Sequence, residues 1–209
     1  NVEKGQLNGY IKPLLRDAFG ISDIQLGIVD TTFFWTYAVC AFLFGRIGDS
    51  VRRRNMIIFG LIFWSMATGI MPFATGFAML LGMRTLVATG ESTYYPTATA
   101  LISSWHKPSM RSRALSIHQT AVFAGGGIGG WVSGKLADSY GWSAPFVIFA
   151  ALGFVVMAIL FKFLRDDPPG EVRASDVKRA EPIAVILRNP AALLLCGVFF
   201  LATAASSAV

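Results

Sequence analysis

The feature that most constrains this chain is a series of apolar blocks, each about 20 residues long and separated by short polar segments. An α-helix needs about 20 consecutive apolar residues to cross the hydrocarbon core of a bilayer. Only 14% of the residues are charged, whereas soluble domains typically carry about 25%. A backbone in lipid must satisfy its own hydrogen bonds, so these blocks predict spanning helices. We therefore predict an all-α, multi-pass membrane protein.

Six spans and the beginning of a seventh follow from the block boundaries. Residues 1–15 are too short and too polar to span alone, and we interpret them as the latter half of a first span. The later spans are predicted at residues 24–44, 55–71, 77–105, 114–136 and 144–164, with a seventh beginning at 190. The glycine-rich stretch 125–130 predicts close approach of a neighbouring helix to the fifth span.

The same boundaries predict the domain organisation. Residues 1–164 would form an N-terminal bundle, residues 165–189 a polar cytoplasmic linker, and residues 190–209 the truncated start of a C-terminal bundle. Lys and Arg are concentrated in the loops after the second, fourth and sixth spans, which the positive-inside rule places in the cytoplasm. Orientation thus explains the net charge of +6, and no nucleic-acid partner is predicted. We expect the protein in the cell inner membrane or plasma membrane.

Cysteine and histidine give no indication of a metal or redox site. Cys40 and Cys196 lie far apart in apolar blocks, and His106 and His118 have no companion ligands at metal-binding spacing. We predict no disulfide, no metal and no cofactor. Enzymatic activity is not expected.

Residues 84–96 place an arginine and a glutamate inside the fourth predicted span. Arg84 and Glu91 are about two helical turns apart, so both lie on one face, roughly 10 Å apart along the axis. A charge at membrane depth costs about 2.5–3.5 kcal/mol on insertion scales and typically lines a pathway or cavity. The alternative is a structural ion pair that holds helices together. Tyr95 lies one turn beyond Glu91, and Pro96 locally weakens the helix because it cannot donate to the carbonyl of Ser92.

The segment after the second span, residues 45–54, is a tight and very basic turn. Asp49 can accept hydrogen bonds from helix amino termini and from nearby arginines. Contacts that form in one conformation and break in the other would act as a latch. The alternative is a cytoplasmic anchor of arginines whose apolar stems lie in the membrane.

This loop resembles the motif between helices two and three of the major facilitator superfamily. The positions that fit are Gly45, Ile47, Gly48, Asp49, Arg53 and Arg54, whereas Ser50 and Arg52 depart from the pattern. The resemblance implies the N-terminal six-helix bundle of a transporter whose other six-helix half is missing here. It also implies a conformational latch formed by Gly45, Asp49, Arg53, Arg54 and Arg113.

Within the superfamily, the chain most resembles the anion:cation symporter branch. Glu3 and Lys4 stand where that branch has an Asp-Arg pair, and residues 84–96 match its fourth helix. This resemblance implies proton coupling at Glu91 and Glu3, and it implies substrate contacts from Lys4, Arg84, Tyr95 and Gln119. Spinster-like lipid transporters share much of the pattern. Organophosphate antiporters fit less well, because their fifth-helix histidine would align with Val122.

The leading functional hypothesis is a secondary transporter that moves a small organic anion with protons across the bilayer. A carboxylate removed from water favours its protonated form, and a nearby cation favours its charged form. When a substrate anion occupies that cation, Glu91 should take up a proton more readily, which couples the two binding events. The alternatives are a proton-driven exporter of lipids or drugs and a non-transporting truncated product.

Overall fold

A computed structural model describes residues 16, 18–48, 51–168, 190 and 194 of the chain. The described part contains six α-helices and no β-strand, which confirms the all-α prediction. They are α1 (Asp23–Gly48), α2 (Arg53–Ile70), α3 (Phe77–Glu91), α4 (Tyr94–Trp105), α5 (Pro108–Tyr140) and α6 (Ala144–Phe163). A short 3-10 helix, Met71–Phe73, follows α2. All of these helices lie within one compact unit, Gln6–Glu171.

The start of α1 is fixed by two hydrogen bonds between Ser22 and Gln25. The Ser22 hydroxyl accepts a hydrogen bond from the Gln25 amide at 3.3 Å, and the Gln25 side chain accepts one from the Ser22 amide at 2.8 Å. This reciprocal pair is a capping box. Gly20, with φ of 61°, makes the turn before it in a conformation that favours glycine. At its other end α1 continues to Gly48, so Gly45 is helical and the predicted turn at that position was wrong.

The fourth predicted span is interrupted rather than continuous. Helix α3 ends at Glu91 and α4 begins at Tyr94. The hydroxyl of Ser92 donates to the Thr89 carbonyl at 2.8 Å, and that of Thr93 donates to the Gly90 carbonyl at 2.8 Å. These side chains satisfy carbonyls at the break, which lies just before Pro96. The predicted weakening is therefore present, although the single helix over 77–105 was wrong.

The fifth predicted span is longer than expected at both ends. Helix α5 begins at Pro108, so Arg111 and Arg113 are helical and the predicted loop over 106–113 was wrong. The physical reason is that proline suits the first turn of a helix, where its missing N–H is not needed. Helix α5 ends at Tyr140, and Gly141 follows with φ of 87°.

Three stretches of the described chain are long and apolar enough to cross a membrane: Asp23–Gly48, Arg53–Phe73 and Ala144–Phe163. Helices α3 and α4 are each too short to meet that length alone, because the break divides one predicted span between them. The break therefore places polar backbone and a carboxylate inside the bundle.

Helix α2 packs very closely against the break between α3 and α4. A Cβ on Gly90 would lie 2.8 Å from the backbone nitrogen of Trp64, and a Cβ on Gly60 would collide with the hydroxyl of Thr93. Both positions therefore need glycine. This contact fixes the end of α3, and hence the backbone of Glu91, against α2.

Three glycines of the predicted stretch 125–130 differ from the prediction, whereas Gly130 is buried. A Cβ at Gly125, Gly127 or Gly129 would meet no atom within 4 Å, so these three do not mediate close helix approach in the described part of the bundle. The buried residues of α5 are further along the helix, at Gly130, Ser133, Gly134 and Ala137.

Candidate functional site

The two charges of the fourth predicted span, Arg84 and Glu91, both lie on α3 and are half-buried. Neither takes part in any ion pair within 4 Å among the described residues; those pairs are Arg16–Asp23, Arg52–Asp166 and Arg53–Asp167. Arg84 and Glu91 are seven residues, or about two helical turns, apart along α3. Within the described chain they therefore do not act as a structural ion pair.

The guanidinium of Arg84 lies over an aromatic ring of α1. Its central carbon is 5.3 Å from the centroid of the Phe33 ring. Phe33 in turn stacks on Tyr37, one turn along α1, with ring centroids 6.2 Å apart and planes at 29°. Tyr37 lies close enough to Glu91 and Tyr95 to interact with both electrostatically. Two aromatic rings on α1 thus run alongside the two charges on α3.

The polar site continues from α4 to α5. The Tyr95 hydroxyl donates a hydrogen bond to the Gln119 side-chain carbonyl at 2.8 Å. The sequence predicted both residues as substrate contacts, and the fold brings them together. The adjacent pair also meets, because the Tyr94 hydroxyl and His118 Nε2 are 3.1 Å apart. His118 therefore forms a polar contact.

Several residues that surround these groups were not found by sequence reasoning. They are Phe33, Tyr37, Trp64 and Tyr94; Trp64 packs edge-on against Tyr94, with ring centroids 6.0 Å apart. The spacing of Phe33 and Tyr37, four residues apart on one helix, was a usable signal because i and i+4 side chains share a face. Which face of α1 meets α3 could not be read from that spacing.

Two predicted site residues lie outside the described part of the chain. Glu3 and Lys4 belong to residues 1–15, so proton coupling at Glu3 and substrate binding at Lys4 stay predictions. Asp49 of the predicted latch also lies outside the described residues.

The latch arginines contact the segment that follows α6. Arg53 Nη1 is 2.8 Å from Asp167 Oδ1, and Ser104 donates to the same oxygen at 3.0 Å. Arg54 donates to the carbonyls of Leu164, at 2.8 Å, and of Phe161. These contacts join the start of α2 and the end of α4 to the end of α6.

The remaining predicted latch residues are not part of this cluster. Arg113 is exposed on α5 and makes no ion pair with the cluster, and Gly45 lies within α1. A conformational role for the set therefore stays a prediction. Within the described residues, no group of three or more His, Cys, Asp or Glu side chains could hold a metal ion.

The arrangement offers a cation and a carboxyl group on α3, and phenolic hydroxyls and an amide on the neighbouring helices. A guanidinium binds carboxylates through two parallel hydrogen bonds. A carboxyl group beside it can hold a proton or a negative charge. Hydroxyl and amide groups recognise the hydroxyl groups of a polar solute. The site therefore has the chemistry to bind a small anion and a proton.

Comparisons with known proteins identify the family. A sequence profile described as Major Facilitator Superfamily matches residues 5–209. The chain is 25% identical to the hexuronate transporter of Bacillus subtilis (strain 168), over 90% of the chain and 46% of that protein. It is 34% identical to protein spinster homolog 1 of Homo sapiens, over 88% of the chain and 37% of that protein. The chain thus spans less than half the length of these curated relatives.

The fold is similar to that of a solved structure. This is a bacterial homolog of the human lysosomal transporter spinster, in an inward-facing and occupied conformation. The TM-score is 0.71 at 27% sequence identity, and the match covers 83% of this chain and 43% of the other. The hexuronate relative and spinster are named as transporters, and the prediction that this chain is not an enzyme is confirmed. Because the matched profile covers nearly the whole chain, the chain belongs to the Major Facilitator Superfamily and is a helical membrane protein.

Proposed function

We propose that the complete protein is a secondary active transporter that moves a small organic anion, such as a sugar acid or another carboxylate, together with protons. The observation that carries this proposal is the separation of Arg84 from Glu91 on α3. The cation lies over the Phe33 ring, and the carboxyl group forms no ion pair within the described chain. The two groups are therefore available for an anion and a proton.

The proposed coupling follows from the position of the two charges. A substrate carboxylate that binds Arg84 neutralises the cation that favours ionised Glu91, so binding of the anion promotes binding of the proton. Tyr95 and Gln119 would contact the hydroxyl groups of the substrate. A hydrogen bond of 2.8 Å joins their side chains.

The relatives support an anion as the substrate without identifying it. The hexuronate transporter of B. subtilis is named for a sugar acid. In transporters of this kind the substrate site lies at the interface between two repeated bundles, which rock about it to give alternating access. A second six-helix bundle would then supply the other wall of the cavity. We also propose the cell inner membrane or plasma membrane as the location.

Uptake into proteoliposomes that contain the complete protein tests the proposal. We expect radiolabelled D-glucuronate to accumulate when the exterior is acidic relative to the interior, and a protonophore to abolish accumulation. Arg84→Gln should abolish uptake, because it removes the anion-binding charge. Lys162→Gln is the matched control, since it removes an exposed cation of α6. Equal uptake by Arg84→Gln and Lys162→Gln would contradict the proposal.

A proton-driven lipid exporter is the second candidate. It is favoured by the 34% identity to a spinster protein and by the aromatic rings around Glu91. The same vesicles distinguish the two candidates. Proton-dependent movement of a fluorescent lysophospholipid, with no accumulation of glucuronate or other carboxylates, would favour the exporter.

A further inference from the structure

The aromatic ring of Phe33 is placed where it can control the position of Arg84. The ring centroid lies 5.3 Å from the guanidinium carbon, within the range of a cation–π interaction. Phe33 is partly buried and packs against the core cluster of α1, α2 and α3. Its stack with Tyr37 and its edge-on contact with Phe34 hold the ring on two sides. The guanidinium thus rests on a fixed surface.

The alternative partner for this guanidinium is Glu91, on the same face two turns along α3. Arg84 and Glu91 are seven residues apart in α3, which places their side chains on one face of the helix. Among the described residues near these charges, α1 carries Asp30 one turn before Phe33, and also Tyr37 and Cys40. Helix α4 supplies Tyr94 and Tyr95, α5 supplies His118 against Tyr95, and α2 carries no ionisable side chain beyond Arg54. Long arginine and glutamate side chains on one helix face can approach each other if nothing holds them apart.

We propose that Phe33 is a positioning residue that holds the Arg84 guanidinium against α1 and away from Glu91. This inference rests on the proposed function. The contact keeps Arg84 open to a substrate carboxylate and leaves Glu91 open to a proton. Without the ring, Arg84 pairs with Glu91, and the substrate must displace a carboxylate before it binds.

Kinetics of D-glucuronate uptake in proteoliposomes of the complete protein test this role. Phe33→Leu and Phe33→Met remove the ring, and Phe33→Tyr keeps it. We expect the two non-aromatic variants to raise KM about 3-fold or more with little change in maximal rate, as the loss of a desolvated cation–π contact implies. The uptake profile should also shift to lower pH by about one unit, because the Arg84–Glu91 pair opposes protonation. Phe33→Tyr should keep the wild-type KM and pH profile, because it retains the aromatic ring.

Phe42→Leu is the matched control, because this aromatic residue of α1 is 55% exposed and lies more than two helical turns from Phe33. It should keep wild-type KM and the wild-type pH profile. Wild-type kinetics in Phe33→Leu and Phe33→Met, or an equal change in Phe42→Leu, would overturn the positioning role while uptake itself stands. Failure of the wild-type protein to accumulate glucuronate would instead overturn the proposed function.

Discussion

Replacing Asp167 with alanine should destabilise the bundle, because it breaks a buried ion pair that joins α2 to the segment after α6. Its carboxylate is 2.8 Å from the Arg53 guanidinium, and the two side chains are only 5% and 14% exposed. Asp167 also accepts a hydrogen bond from Ser104, the residue before the last in α4. The substitution therefore leaves the Arg53 charge buried without this partner.

The magnitude follows from that burial. Removing one partner of a buried ion pair costs about 3–5 kcal/mol, because the remaining charge is left desolvated. Arg52 provides a matched comparison one residue earlier, since its contact with Asp166 is 3.9 Å long and its side chain is 74% exposed. Exposed pairs contribute about 0–1 kcal/mol. Arg52→Ala should therefore cost less than about 1 kcal/mol.

Reversible unfolding of the complete protein in mixed detergent micelles, followed by circular dichroism, measures both changes in the free energy of unfolding. The double variant Arg53→Met with Asp167→Leu should recover most of the loss, because apolar replacement of a buried pair is often neutral. Equal losses in the free energy of unfolding for Asp167→Ala and Arg52→Ala would refute this reasoning.

Two further predictions concern the break and the polar site. Gly90→Ala should lower the free energy of unfolding by about 1–3 kcal/mol, because the new Cβ lies 2.8 Å from the Trp64 nitrogen and overpacks the α2 contact. Gly82 lies on the same helix in open space, so Gly82→Ala should leave the free energy of unfolding unchanged or raise it by up to about 1 kcal/mol. Equal losses in the two variants would contradict the packing account. Tyr95→Phe removes the hydroxyl that bonds Gln119 and should raise KM for glucuronate about 2- to 10-fold, the equivalent of one hydrogen bond, whereas an unchanged KM would exclude Tyr95 from the site.

Much of the helical fold could be predicted because each helix that crosses the membrane needs about 20 consecutive apolar residues. The apolar blocks gave the predicted sixth span as 144–164, and the observed helix is Ala144–Phe163. The capping pair Ser22 and Gln25 acts within four residues, so it too is visible in sequence. The weakening before Pro96 was predicted at Ser92, and the break lies at Ser92 and Thr93, although the prediction kept a single helix across it.

Contacts between helices could not be predicted from the sequence. Arg53 and Asp167 are 114 residues apart, and nothing in either local pattern indicates the other. The prediction that Arg84 and Glu91 share a face needed only the helical period. That Phe33 lies beneath Arg84 depends on the register of α1 against α3, which packing alone sets. The glycines of α5 give a second example. Their spacing would permit close approach of another helix, but the spacing alone does not show whether a helix packs there.

The role of Glu91 as the proton-binding group is the central claim, and one comparison tests it most directly. The Glu91→Gln variant of the complete protein is compared with wild type in proteoliposomes, both for accumulation of glucuronate driven by a proton gradient and for exchange of internal for external glucuronate. We predict that Glu91→Gln loses accumulation while it keeps exchange, because the neutral amide mimics the protonated side chain but cannot release a proton. Accumulation at the wild-type level in Glu91→Gln would contradict the account.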